Sequence, residues 1–229
     1  MNVCARWAGL LVCAFAAAAL LFAQEPAPPA TNQTPPPLKK SNERPAAMSA
    51  ADAEPYSNAP VAKMAEACVT LETEEGKIEI EMLAEMAPET TRNFLNLVAI
   101  GAFDTTTFNR VVKGFVIQGG NLSTHQRLTP ELAQRSRRTI LDEPNPVRHE
   151  RGIVSMARTA QPNSATTNFF ILVSDAPHLN GTFAAFGRVV RGMEVVDKIN
   201  QAPATNEKPD KPVRITRALI APCRKSSEQ

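Results

Sequence analysis

Between Lys77 and Met82 apolar Ile78, Ile80 and Met82 alternate with Lys77, Glu79 and Glu81. A period of two predicts a half-buried strand, and Glu75-Gly76 turns it back onto a second strand over Val69 to Thr73. The period then changes. Pro88 stands where a helix would open, Glu89 suits its positive end, Phe94, Leu95, Leu97 and Val98 supply a buried face, and Gly101 stops it. Thr107 to Val112 and Phe115 to Gln118 read as strands split by Lys113-Gly114. Residues 121–151 carry no strong period and read as one long loop. Ile153 to Met156, Phe169 to Val173 and Phe186 to Val190 are further short strands. Gly192 precedes a short helix over Met193 to Ile199, and Val213 to Ala221 closes the series. Eight short strands with two helices predict a mainly β domain, a closed eight-stranded antiparallel barrel capped by two α-helices.

The ends of the chain depart from this pattern. Arg6 is followed by an unbroken apolar run from Trp7 to Ala23, so residues 1–23 are expected to be an export signal or an amino-terminal membrane anchor. Residues 24–67 are rich in proline and lack periodicity, the composition of an extended, disordered linker. The globular domain is expected over 68–223, with a short tail over 224–229.

A formal charge of +2 argues against a nucleic-acid partner. Arg135, Arg137, Arg138, Arg148 and Arg151 do cluster, as a solvated loop face or as a docking surface for an acidic partner. His125, His149 and His178 form no triad-like or zinc-ligand pattern with the cysteines, and Gly-x-Ser-x-Gly is absent, so neither a hydrolase nor a metal site is expected.

The run from Phe108 to Gly120 sets Arg110 between two short apolar stretches, then presents Phe115, Gln118 and a glycine pair. Ser155-Met156-Ala157-Arg158 and Thr167-Asn168-Phe169-Phe170-Ile171 follow in order. Together these motifs resemble the active-site strands of the cyclophilins, the barrel-type peptidyl-prolyl cis-trans isomerases, over about Cys68 to Cys223. The wording around Met156 and Phe170 is most similar to short bacterial members that work outside the cytoplasm.

The resemblance implies rotation of Xaa-Pro bonds in folding exported proteins, by a monomer that needs no cofactor. Arg110 would be catalytic and Gln118 would orient it or the substrate backbone. Phe115, Val116, Phe170 and Leu179 would line a pocket for the proline ring. Backbone groups near Ala157 and Arg158 would pair with the residue before proline, and Asn168 would contact substrate. His178 and Phe183 would stand at the rim, where cyclosporin-sensitive members carry tryptophan and histidine, so weak cyclosporin binding is expected. Asn109 and Lys113 replace the family's common histidine and proline. Neighbouring first and last strands would bring Cys68 and Cys223 together for a disulfide; two unpaired buried thiols are the alternative. The competing function is a non-catalytic scaffold or chaperone of the same fold that holds proline-containing segments.

Overall fold

The computed structural model describes residues 54–223; the expected signal or anchor, most of the expected linker and the tail lie outside them. Ten strands form: β1 (Ala67–Thr73), β2 (Gly76–Met82), β3 (Arg110–Val112), β4 (Val116–Gly119), β5 (Ile153–Met156), β6 (Phe169–Leu172), β7 (Ala185–Arg191), β8 (Ala204–Thr205), β9 (Lys208–Pro209) and β10 (Ile215–Pro222). Helices are α1 (Val61–Ala65), α2 (Pro88–Ala99), α3 (Pro130–Arg135) and α4 (Met193–Gln201).

Eight strands make one antiparallel sheet in the order β10-β1-β2-β7-β5-β6-β4-β3, and β8 and β9 form a separate hairpin. The sheet is curled and open. Its edges approach through a single bridge, Thr107 to Arg214, flanked by Phe108 N–H to the Val213 carbonyl and Ile215 N–H to the Thr106 carbonyl. A continuous closing ladder is absent among the described residues because β3 starts only at Arg110, three residues after the expected start.

Alternation along β4, β5 and β6 feeds two apolar clusters. Ile117, Val154, Met156, Phe169 and Ile171 face the main core, where Phe94 of α2 meets Phe103, Phe169 and Phe186 with ring centroids 4.8–5.3 Å apart. Their neighbours Val116, Ile153, Phe170 and Leu172 face a smaller cluster with Ala176, Leu179 and Ala185 on the opposite side of the sheet. Burial on both faces explains why these strands read as continuous apolar runs instead of alternating ones.

Residues 121–151 contain more structure than their lack of period suggests. They hold a 3-10 turn at Leu122–Thr124 and α3, whose Thr129 side chain caps Leu132 N–H. Glu143 in this region accepts from Glu89 N–H at 3.0 Å and Thr90 N–H at 2.6 Å, capping α2, whose own N-cap residue Ala87 has no side-chain acceptor.

The domain also begins earlier than composition suggests, because residues 54–66 fold onto it. Met64 is fully buried in the main core. Arg92 donates to the carbonyls of Tyr56 and Ala59 at 2.7 and 2.8 Å, and Tyr56 N–H donates to Asn96 Oδ1 at 2.8 Å. Buried Glu54 accepts from Arg135 Nε at 2.5 Å and from Arg138 at 3.1 Å, and Arg135 also donates to Asn93 Oδ1 at 2.7 Å. Two arginines of the apparent basic cluster therefore serve an internal acid. Removing one partner of such a buried pair strands the other charge in apolar surroundings.

Cys68 and Cys223 are joined in a disulfide across the β1–β10 pair, with Cα atoms 4.8 Å apart and a separation of 155 positions in sequence. A loop of that length is a large constraint on the unfolded chain, worth about 5 kcal/mol in the chain-entropy account. Reduction, or the double change Cys68→Ala with Cys223→Ala, should lower unfolding stability by about 2–5 kcal/mol. Urea titration with and without reductant checks this; identical midpoints would mean that the bond does not form.

Candidate active site

The smaller apolar cluster is incompletely roofed. Phe115, Phe183 and Ala157 only partly cover it, leaving a concavity of about 150 Å³ lined by Arg110, Phe115, Val116, Gln118, Ala157, Arg158, Phe170, Leu179 and Phe183. A larger hollow among Glu75, Glu194, Asp197 and Lys198 is lined mainly by charged side chains. Phe170 supplies the floor and meets Phe183 edge-on, centroids 5.8 Å apart.

Arg110 and Gln118 face each other across the β3–β4 pair, and Arg110 Nη1 donates to Gln118 Oε1 at 3.2 Å. Phe108 does not share their face, as unbroken alternation would require. It is wholly buried in the main core against Phe169, because regular pairing begins only at Arg110, whereas Val112 packs on the pocket cluster. The β3–β4 turn is fixed from α4: Asn200 accepts from Gly114 N–H at 2.9 Å and donates to the carbonyls of Val112 and Val116 at 2.9 and 3.1 Å. Lys113 is drawn off toward the Gln201 carbonyl, 3.2 Å away, and does not line the concavity. Gly120, at φ +82°, lets the chain after β4 pass against the Thr167 carbonyl, which an added Cβ would overlap.

On the opposite rim Ala157 N–H donates to the Asn168 carbonyl at 2.9 Å. The Arg158 guanidinium carbon lies 5.0 Å from the Phe183 ring centre, and its Nε is 3.6 Å from Asp142 Oδ2. Two expected contacts fall outside the lining. Asn168 reaches this rim through its backbone, and His178, exposed on a 3-10 turn at Pro177–Leu179, packs its ring 5.6 Å from that of Phe115. One polar partner of Arg110 was not legible in sequence: Glu207, whose Oε2 accepts from Arg110 Nε at 2.8 Å.

Behind the floor, buried Ser155 Oγ and His149 Nε2 lie 2.9 Å apart, and His149 Nδ1 has no partner among the described residues. Burial, outweighing a contact with Asn180, pushes the imidazole below its ordinary value near 6.5. The unfolded chain thus binds a proton here that the folded chain resists, so this group's contribution is complete above about pH 6.5 and is lost as pH falls below it. Stability should drop on acidification through that window, and His149→Gln should flatten the slope. Denaturation midpoints at stepped pH measure it; parallel curves for the two proteins would refute the assignment.

Comparison with known proteins identifies the family. The family model for cyclophilin type peptidyl-prolyl cis-trans isomerases matches residues 68–220. Peptidyl-prolyl cis-trans isomerase A of Dickeya dadantii is 37% identical over 164 residues, covering 66% of this chain and 83% of that protein. A peptidyl-prolyl cis-trans isomerase of Acinetobacter baylyi is 36% identical over 168 residues, covering 69% and 87%. Among solved structures, a cyclophilin type isomerase of Cryptosporidium parvum, crystallised in the presence of the dipeptide Ala-Pro, has a TM-score of 0.59 and 30% identity, covering 67% of this chain and 98% of its own.

Proposed function

Because the chain belongs to the cyclophilin-type peptidyl-prolyl cis-trans isomerases and is an enzyme of that class, we propose that Arg110 lowers the rotation barrier while the apolar concavity beside it grips the proline ring. The observation that carries this reading is a guanidinium, steadied by Gln118, on the rim of a small apolar hollow.

Resonance gives the peptide C–N bond a barrier of about 18–20 kcal/mol, while cis and trans forms before proline differ by only about 0.5–1 kcal/mol. A catalyst therefore needs no nucleophile or cofactor. It must immobilise the ring and stabilise the twisted amide, whose nitrogen regains a lone pair as conjugation is lost. Val116, Phe170 and Leu179 form the apolar floor for the ring, with Phe115 and Phe183 as walls. Arg110 remains charged through the whole cycle and offers fixed donors to the amide nitrogen or the adjacent carbonyl oxygen. Ala157 and Arg158 present backbone to the residue before proline in the manner of an added strand. His178, tilted against Phe115 and lacking an indole N–H, is the basis for weak cyclosporin binding.

We further propose that the substrates are proline-containing segments of proteins folding outside the cytoplasm. The apolar run from Trp7 to Ala23 supports export, as a cleaved signal or as a membrane tether, and the Cys68–Cys223 bond suits an oxidising compartment. Action as a periplasmic or secreted monomer, with residues between the leader and the domain serving as a spacer, completes this reading.

Exchange between cis and trans Ala-Pro peptide, followed by NMR, tests the central claim. The wild type should accelerate exchange, and Arg110→Ala should lose about a hundredfold or more with its circular dichroism unchanged. Peptide binding without acceleration by the wild type would instead favour a non-catalytic scaffold.

A further inference from the structure

Arg110 sits on β3, the last strand of the eight-stranded sheet among the described residues. Its outer side is met by the tip of the β8–β9 hairpin. Val111 N–H donates to the Glu207 carbonyl at 2.8 Å, and the preceding residue, Arg110, donates through Nε to the Glu207 carboxylate at the same distance. One residue thus grips two consecutive positions of the edge strand, once through backbone and once through side chain. To do so it adopts a costly conformation. Asn206 and Glu207 have φ of +50° and +63°, in the left-handed region that side chains other than glycine seldom occupy. A turn built only for connection would be better served by glycine at 207.

The consequence for the guanidinium is geometric. Gln118 takes an Nη1 hydrogen from one side and Glu207 takes the Nε hydrogen from the other. Two acceptors on different edges of a planar group stop its rotation about the Cδ–Nε bond. Of the five N–H donors of arginine, those on Nη2 and the second on Nη1 remain for substrate. Both side chains are about half exposed, so the ion pair contributes little to stability. Its effect is on orientation.

We propose that Glu207 is a positioning residue for isomerisation, holding Arg110 in the orientation that meets the twisted amide; this rests on the reading of Arg110 as catalytic. Glu207 acts through Arg110, and the left-handed backbone at 206–207 is retained because it aims the carboxylate.

Glu207→Gly separates this role from a structural one, since glycine accepts the backbone conformation but lacks the carboxylate. Its melting temperature should equal or exceed that of the wild type, while kcat and kcat/KM fall together by about three- to tenfold. Glu207→Gln, which keeps an acceptor, should recover most of the rate. Added to Arg110→Ala, Glu207→Gly should have no further effect. In the substrate-free protein the Arg110 Nε–H NMR signal should be protected in the wild type and in Glu207→Gln and exchange freely in Glu207→Gly. Full activity in Glu207→Gly beside a crippled Arg110→Ala would overturn this proposal alone, as would an equal loss from Glu207→Gly in the absence of Arg110. Wild-type turnover by Arg110→Ala would overturn the arginine reading and this proposal with it.

Discussion

Strands β4, β5 and β6 bury apolar side chains on both faces, and the rest of the molecule is arranged around that constraint. One face is satisfied by the main core, closed by the phenylalanines around Phe94 on α2. The other carries a second apolar cluster too small to be covered by a helix of its own. Its partial exposure creates the concavity, and the curl of the sheet brings β3 and the loop after β5 to opposite rims of it. The site is therefore a property of the packing: a sheet with two apolar faces must either cover the second or use it.

The polar residues around the site answer the opposite requirement, because each backbone group at the rim needs a partner. Asn200 supplies three bonds to the β3–β4 turn from a helix distant in sequence, and Glu143 supplies two to the start of α2. Asn93 links the buried Arg135–Glu54 pair to the Thr166 carbonyl, next to the strand that carries Phe169 and Phe170. The segment that leads into the domain is thus mechanically continuous with one wall of the site.

Much of this was legible in the sequence, and the missing parts share a cause. Period and punctuation located β1, β2, α2 and α4 to within a few residues, since β2 alternates after Gly76 and turns back onto β1, and Pro88 and Gly192 mark the starts of the two helices. Residues 54–66, α3 and the β8–β9 hairpin were missed because each is too short to show a period, and the first is held by a few core contacts such as Met64 and by hydrogen bonds from Arg92 and Arg135. For the site, the motif resemblance named nine residues that the fold gathers at one hollow, although Asn168 takes part through backbone and His178 stands outside the lining. Glu207 could not be found that way. It lies 97 residues from Arg110, and its role comes from a turn conformation that no local pattern announces.

The bond between Cys68 and Cys223 ties the first strand of the sheet to the end of the last, and the Cys223 N–H also donates to the Glu66 carbonyl. A pull applied at these two points is carried across one covalent link, and the chain between them bears none of it. The sheet, its hollow and the edge arginine form a slack loop in the line of force. A load entering through the chain on either side of this domain would leave that geometry in place, where it would unzip an unlinked pair of strands.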